Sequence, residues 1–165
     1  MARKVRREFA IPPVVGQRNS LDPEGTTDPA GSTDCGEACL ESAVLARRGL
    51  RVAAGCIRQG LELPPTNGST TGEQLALVWK AFGGEATVRR GESAQASPHG
   101  LTLRQDGRYR LLLGEWIEPG MEHWVLAYHT EGEETWVMDP WTASHIALHM
   151  DVISREGAGV WVDLT

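Results

Sequence analysis

Apolar residues in the first half of the chain recur at the spacing of an α-helix. From about Cys35 to Arg48, leucine, valine and small residues share one stripe, as in a helix with one buried face. Residues 32–34 are Ser, Thr and Asp, which cap helix starts, and Gly49 is typical of a helix end. The same reasoning predicts a short second helix over residues 53–60 and a third, with a capped and acidic start, over residues 69–81.

The second half of the chain alternates between apolar and polar residues, which is the period of β-strands. The predicted strands cover residues 85–90, 108–116, 123–130, 135–139, about 144–149, and 159–164. Because helices come first and strands follow, we expect an α+β domain in which helices pack on an antiparallel sheet.

The length of 165 residues, with 41% hydrophobic and 23% charged residues, predicts a single domain over residues 1–165. Residues 1–15 form an N-terminal segment in this interpretation, and residues 16–33, rich in Asp, Pro, Gly, Ser and Thr, form an irregular loop. The basic residues near the start precede no apolar stretch of signal or membrane length, so we expect a soluble chain without a membrane partner.

Charge and cysteine content narrow the function further. A net charge of −6 argues against nucleic acid as the partner. Three cysteines are an odd number and do not form a disulfide framework, so we predict reduced thiols and a cytoplasmic location. The oligomeric state remains open.

Cys35 is the candidate nucleophile. It follows a polar loop and opens the first predicted helix, where unpaired backbone N–H groups and the helix dipole favour a thiolate. Gly36 would let a substrate approach the backbone closely. Cys39 and Cys56 fit the more common role of a small buried apolar residue.

His123 is the candidate base, because it stands at a strand entrance after a turn. His129 lies on the same face at the far end of that strand, roughly 20 Å away, and reads as ordinary surface. His145 and His149 alternate with apolar residues and belong to the half-polar face of a strand. His99 has no partner that the sequence can supply.

A zinc site built from Cys35, Cys39 and a histidine is an alternative, although two thiols within one helix and no second ligand pair are a weak signal. We therefore expect neither a metal nor an organic cofactor.

Asp139, at the end of a predicted strand, is the candidate that orients the base, although Asp-Pro is also common in turns. The predicted strands 123–130 and 135–139 form a hairpin, in which a two- or four-residue loop places Asp139 on the face away from His123. An odd loop, or a bulge, places it on the same face. A triad thus predicts a three- or five-residue turn with Gly132 at positive φ.

The oxyanion of an acyl-transfer reaction needs two donors. The N–H of Cys35 supplies one. Gln17 is the best upstream amide for the second, with Asn19 in reserve, and an ordinary surface amide is an equally good interpretation of Gln17.

An ordered set of motifs resembles a known family. The set is Asp34-Cys35-Gly36-x-Ala38, Thr70-Thr71, His123-Trp124-Val125-Leu126 and Val137-x-Asp139-Pro140-Trp141. It is similar to the bacteriocin-processing, double-glycine leader branch of the papain-like cysteine peptidases, over residues 17–141.

The resemblance implies a papain-like fold and a role for each matching residue. Cys35 would attack a peptide carbonyl, His123 would move its proton, Asp139 would orient the imidazole, and Gln17 would complete the oxyanion hole. Two features depart from the family. Gln17 lies 18 residues before Cys35 rather than a few, and the best-known members are fused to a transporter, so we do not carry over the leader specificity.

These observations predict a cysteine peptidase that acts on a peptide or protein substrate through a Cys-His-Asp triad and a thioester. Two alternatives remain. One keeps the fold and acts as a peptidoglycan hydrolase or as an acyl or amide transferase. The other is an inactive binding module of the same shape.

Overall fold

The computed structural model describes residues 11–16, 34–62, 70–91 and 108–165. The helices there are α1 (Cys35–Arg48), α2 (Ala54–Gly60), α3 (Gly72–Ala81) and α4 (Met150–Glu156). The strands are β1 (Ala86–Arg90), β2 (Tyr109–Gly114), β3 (His123–Glu131), β4 (Glu134–Asp139), β5 (Ser144–His149) and β6 (Gly157–Leu164). Within these ranges, no helix is long and apolar enough to cross a membrane.

The six strands form one antiparallel sheet in the order β1-β6-β2-β3-β4-β5. The β2–β3, β3–β4 and β4–β5 pairs join strands that are neighbours along the chain, while β6 returns to lie between β1 and β2. The predicted α+β class with an antiparallel sheet is therefore confirmed.

Helix α1 has the bounds that the sequence predicts. Asp34 occupies its N-cap position without a side-chain cap hydrogen bond, and Gly49 ends it at φ 66°, donating its N–H to the carbonyl of Leu45. Glycine accepts this left-handed conformation without the steric cost of a Cβ atom. The helix packs against β3, which brings its first turn to one end of the sheet.

Helix α3 begins with a reciprocal cap. The hydroxyl of Thr71 accepts the N–H of Gln74 at 3.2 Å, and the side-chain oxygen of Gln74 accepts the N–H of Thr71 at 2.8 Å. Two of the otherwise unpaired donors of the helix start are satisfied in this way. The cap fixes the preceding residue, Thr70, beside α1 and β3.

Apolar side chains cover both faces of the sheet. On the face that carries α1 and α3, the main cluster includes Leu40, Leu75, Trp79, Trp124, Leu126, Met138 and Val162. On the other face a smaller cluster joins Leu112, Val125, Ala127, Val137, Leu148, Ile153 and Trp161. The central strands β2 and β3 are thus buried on both sides, which holds the start of β3 rigidly.

One helix and several element ends differ from the sequence prediction. Helix α4 was not predicted, because its one buried residue, Ile153, leaves no apolar periodicity to detect. It begins after His149, whose Nδ1 accepts the N–H of Asp151 at 3.2 Å. Strand β6 starts at Gly157, two residues early, and β2 ends at Gly114, two residues short of the prediction.

The β3–β4 hairpin corrects the predicted turn. Glu131 pairs with Glu134, so the loop has two residues rather than three or five, although Gly132 has the predicted positive φ, at 60°. The register then shifts between Ala127 and His129, a bulge that leaves one extra residue in β3. The bulge has the effect that an odd loop would have had, because it moves Asp139 to the face of His123.

Residues 11–16 lie against α1. The hydroxyl of Ser42, a fully buried residue, donates to the carbonyl of Pro13 at 2.5 Å, and Val15 packs against the main cluster. Except for Gly16, the predicted loop over residues 16–33 lies outside the described residues. The single-domain prediction for residues 1–165 stays a prediction.

Candidate active site

Cys35 is the first residue of α1 and is 8% exposed. Its neighbour Gly36 is tightly packed: a Cβ atom there would lie 3.0 Å from the side chain of Leu75 and 3.3 Å from Cδ1 of Trp124. The approach of a substrate at Gly36 stays a prediction. The contacts add that this glycine lets the first turn of α1 pack closely on α3 and β3.

Trp124 joins the start of β3 to both thiols of α1. Its N–H donates to the Sγ of Cys35 at 3.5 Å, and its carbonyl accepts the thiol of Cys39 at 3.6 Å. Its indole N–H donates to the carbonyl of Thr70 at 3.0 Å. Because Trp124 follows His123 directly, these bonds place the candidate nucleophile and the candidate base in one region.

Burial dominates the ionisation of Cys35. Burial, the largest effect, raises the pKa of the thiol to about 11, and the negative charge of Glu37 also raises it. The N–H groups of Trp124, Gly36 and Cys35 lower this pKa, but by less. The expectation of a thiol that ionises more easily than a free cysteine is therefore wrong. The first-turn N–H groups act in the predicted direction, but desolvation outweighs them.

His123 and Asp139 form a direct hydrogen bond. The His123 Nε2 and the Asp139 Oδ1 are 2.6 Å apart, and both residues are almost completely buried. Because this bond uses Nε2, the Nδ1 of the imidazole is the nitrogen that faces any further partner. The bulge in β3 and the end of β4 create this contact between residues that are 16 positions apart.

Two further donors orient the carboxylate of Asp139. The N–H of Trp141 donates to Oδ1 at 2.9 Å, and the hydroxyl of Thr142 donates to Oδ2 at 2.8 Å. Burial raises the pKa of Asp139, but the hydrogen bond and charge of His123 and these two donors outweigh it, so the pKa lies below its usual value. Asp139 is thus a fixed anion at neutral pH. Sequence reasoning missed Thr142, although a hydroxyl three residues after an Asp-Pro turn is a usable signal.

The ring of Trp141 stands edge-on to His123, with 6.5 Å between ring centroids and 76° between planes. Trp141 thus contributes both a backbone donor to Asp139 and an apolar neighbour to the imidazole. An apolar neighbour limits the access of water to the His123–Asp139 bond and strengthens it.

Solved structures with the same architecture are peptidase domains. The double-glycine motif protease of an AMS/PCAT transporter, solved with a leader peptide, has a TM-score of 0.63 at 16% identity, with coverage of 94% of this chain and 91% of that one. The peptidase domain of Streptococcus ComA, a bifunctional ABC transporter of a quorum-sensing pathway, has a TM-score of 0.61 at 18% identity, with coverage of 89% and 98%. The chain has the papain-like fold of double-glycine peptidase domains.

This likeness confirms the papain-like fold and the resemblance inferred from the sequence motifs. At 16% and 18% identity it concerns the fold. No protein-family model matches the sequence, and no curated protein matches it.

Among the described residues, His145 and His149 lie on β5, as predicted. His129 lies near the far end of β3, as predicted, but the bulge pairs it with Trp136, so the expectation that it shares a face with His123 is wrong. Cys39 is fully buried, as expected, whereas Cys56 is exposed. The expectation for Cys56 was wrong because α2 turns Ala54, Ile57 and Arg58 inward. Gln17, Asn19 and His99 lie outside the described residues.

Among the residues that the structure describes, no group of three or more His, Cys, Asp or Glu side chains is placed to hold a metal ion. The zinc alternative thus has no ligand set in this part of the chain.

A buried charged cluster beside Cys35 was not foreseen. Glu37 is fully buried, and its Oε1 accepts hydrogen bonds from the hydroxyl of Thr70 and from Arg58 Nη1, the latter at 3.3 Å. Arg58 Nη1 also lies 3.3 Å from Asp34 Oδ1. The sequence offered no signal, because an acid after the nucleophile reads as an ordinary dipole-favoured residue of a first helical turn.

A cavity of about 520 Å³ opens elsewhere in the papain-like fold, lined by Thr87, Val88, Arg89, Arg90, Arg110, Trp161 and Asp163. Asp163 bridges Arg89 and Arg110 at 2.8 and 2.5 Å, and Arg110 lies over the ring of Trp161. No member of the Cys35, His123 and Asp139 set lines it. The cavity is therefore not the candidate active site, despite its size.

Proposed function

We propose that this chain is a cysteine peptidase in which Cys35 is the nucleophile, His123 the general base and acid, and Asp139 the residue that orients His123. The observation that carries the proposal is the 2.6 Å bond between His123 Nε2 and Asp139 Oδ1, beside a cysteine at a helix start. The peptidase domains that share the fold support it.

The first half-reaction forms a thioester. The Cys35 thiol gives its proton to the Nδ1 of His123 while the sulfur attacks the carbonyl carbon of a peptide bond. The N–H of Cys35, with Gln17 as the proposed second donor, holds the oxyanion of the tetrahedral intermediate. The intermediate then collapses, the C–N bond breaks, and the imidazolium gives its proton to the leaving amine.

The second half-reaction restores the enzyme. Water gives a proton to His123 and attacks the thioester carbonyl, the C–S bond breaks, and the sulfur takes the proton back as the carboxylic acid leaves. Asp139 remains an anion throughout and keeps Nε2 protonated, which stabilises the imidazolium that forms twice in each cycle.

The raised pKa of Cys35 favours a second candidate, a binding module in which the thiol is inert. Alkylation with iodoacetamide separates the two. In an enzyme the His123→Ala variant loses Cys35 reactivity near neutral pH, whereas in a binding module the variant and the wild type react equally slowly.

The direct test is peptide hydrolysis. A mixture of peptides of known sequence is incubated with the wild type, Cys35→Ala and Cys56→Ser, and new termini are identified by mass spectrometry. We expect cleavage by the wild type and by Cys56→Ser, which changes an exposed thiol of α2, and none by Cys35→Ala. Cleavage that persists in Cys35→Ala would overturn the proposal.

A further inference from the structure

Glu37 places a carboxyl group inside the protein, two residues after the candidate nucleophile. Its side chain is fully buried in the first turn of α1. Oε1 accepts the hydroxyl of Thr70 and lies 3.3 Å from Arg58, whereas Oε2 has no hydrogen-bond partner among the described residues. A buried carboxylate with one oxygen unpaired is costly, so a structural role alone explains it poorly.

Arg58 contacts two acids at the start of α1. Its Nη1 lies 3.3 Å from Glu37 Oε1 and 3.3 Å from Asp34 Oδ1. Burial raises the pKa of Glu37. The hydroxyl of Thr70 and the charge of Arg58 oppose this rise, and the charge of Asp34 adds to it. The Glu37 carboxyl group thus lies within the same helical turn as the sulfur of Cys35.

The contacts of Glu37 also lead to the sulfur through neighbouring groups. Thr70, which binds Glu37 by its hydroxyl, accepts the indole N–H of Trp124 by its carbonyl at 3.0 Å. The backbone N–H of Trp124 donates to the Cys35 Sγ at 3.5 Å. Thr70 and Trp124 therefore support both the carboxyl group and the thiol.

We propose that Glu37 is a positioning residue that acts on Cys35. It ties the first turn of α1 to α2 and to the start of α3, and its negative charge adds to burial in keeping the sulfur protonated until His123 accepts the proton. This inference rests on the proposed role of Cys35 as nucleophile. It adds that the resting site holds a thiol restrained by its own helix, which limits adventitious alkylation and oxidation.

Several charged or titratable groups interact with Glu37, and each enters the expected pH dependence. They are Asp34, Cys35 and Cys39 on or next to α1, and Arg58 on α2. Asp139, at the end of β4, interacts with Cys39 and is bonded to His123, so this pair enters through the thiols. From the start of α3 the contact is the neutral hydroxyl of Thr70. In Glu37→Gln, Arg58 keeps its contact with Asp34.

The test measures alkylation of Cys35 by iodoacetamide from pH 6 to 10 in Glu37→Gln, with Cys56→Ser in every protein and the modified site read by mass spectrometry. We expect Cys35 to react about 3- to 10-fold faster than in the parent at pH 7–8, with the profile moved to lower pH, since one pKa unit is a tenfold change in thiolate. Equal or slower reaction would overturn the inference. Glu37→Met, also uncharged, replaces Glu37→Gln if that variant does not fold.

Glu41→Gln is the matched control. Glu41 lies one turn further on the same buried side of α1, and its carboxylate accepts the N–H of Ala54 at 3.2 Å at the start of α2. We expect this variant to lower the melting temperature while the alkylation profile of Cys35 stays within about twofold of the parent. A shift as large as that of Glu37→Gln would show general loosening of α1 and overturn the inference.

The two hypotheses fail differently. If His123→Ala alkylates like the parent, the proposed function fails. If His123→Ala reacts much more slowly but Glu37→Gln is unchanged, only the role of Glu37 is lost.

Discussion

The imidazole of His123 and the carboxylate of Asp139 meet at 2.6 Å because β3 carries one extra residue opposite β4. Without that bulge, a two-residue turn would place the two side chains on opposite faces of the sheet. Asp139 is in turn held by the N–H of Trp141 and the hydroxyl of Thr142. The bond is therefore built by the hairpin and fixed by the turn that follows it.

Changes at Asp139 should lower the reactivity of Cys35 without unfolding the protein. In Asp139→Ala we expect iodoacetamide alkylation at pH 7 to fall by about 10²–10³-fold, because His123 loses the partner that fixes its tautomer. Asp139→Asn should fall less, since an amide oxygen still accepts the Nε2–H. Asp163→Asn, a change at the Arg89–Arg110 bridge, is the control and should react like the wild type. Equal rates in Asp139→Ala and the control would contradict the role of Asp139.

Removing the base should expose the raised pKa of the thiol. With a pKa of about 11, about one Cys35 thiol in 10⁴ is ionised at pH 7. In His123→Ala we therefore expect alkylation to be very slow at pH 7 and to rise tenfold per pH unit towards pH 10–11, whereas in the wild type His123 accepts the proton and alkylation near neutral pH is faster than in this variant. His129→Ala, at the far end of the same strand, should behave as the wild type. If the ratio of the alkylation rates of the wild type and His123→Ala did not change with pH, a proton transfer to His123 would be contradicted.

The sequence predicted the main elements because their signals are local. The small and apolar stripe of α1, the stop at Gly49 and the alternation along β3 and β4 each involve a few adjacent residues. The candidate residues Cys35, His123 and Asp139 were identified for the same reason, as a helix start, a strand entrance and a strand end. The order of the motifs along the chain then predicted the fold around these three residues.

What the sequence did not predict depends on contacts between distant segments. A triad required either an odd loop or a bulge, and the pattern of residues in the hairpin did not show that β3 would carry the bulge. The pKa of Cys35 depends on its burial in the folded chain and on the opposing N–H of Trp124, 89 residues away. The partner of Glu37 at Thr70 is 33 residues away, so no local pattern marks that acid as buried.

A methyl group at Gly36 should displace the nucleophile. Its Cβ would lie 3.0 Å from the Leu75 side chain and 3.3 Å from Trp124, tighter than ordinary contacts. For Gly36→Ala we expect a loss of about 1–3 kcal/mol in unfolding free energy, as for overpacked cores, together with an altered Cys35 alkylation rate. Gly60→Ala on α2, where a Cβ atom meets nothing within 4 Å, should be neutral or stabilising by up to about 1 kcal/mol. Chemical unfolding of both variants provides the comparison. A Gly36→Ala variant as stable as Gly60→Ala would contradict the packing argument.

The indole N–H of Trp124 should matter for reactivity as well as stability. Trp124→Phe leaves the buried carbonyl of Thr70 without this donor, at a cost of about 1–3 kcal/mol, and loosens the strand start that holds the Cys35 sulfur. Trp79→Phe removes a similar bond, from the indole to the Thr165 carbonyl at 3.2 Å, away from the site. We expect both variants to melt earlier and only Trp124→Phe to change the alkylation rate of Cys35. Equal alkylation rates of Cys35 in the two variants would show that the indole N–H of Trp124 does not affect the candidate site.

The carboxylate of Asp139 should make the stability of the fold depend on acid pH with a defined sign. Its folded-state pKa lies below the usual value because the donors around it outweigh burial, so the unfolded chain binds its proton first as pH falls. The stabilisation is complete above the ordinary Asp value, about 3.8, and is lost as pH drops through the lower folded-state value. Urea unfolding should thus find Asp139→Asn less stable than the wild type by about 1.5–3 kcal/mol at pH 7, with a smaller gap at pH 3. A gap that widens in acid would contradict the direction of this shift.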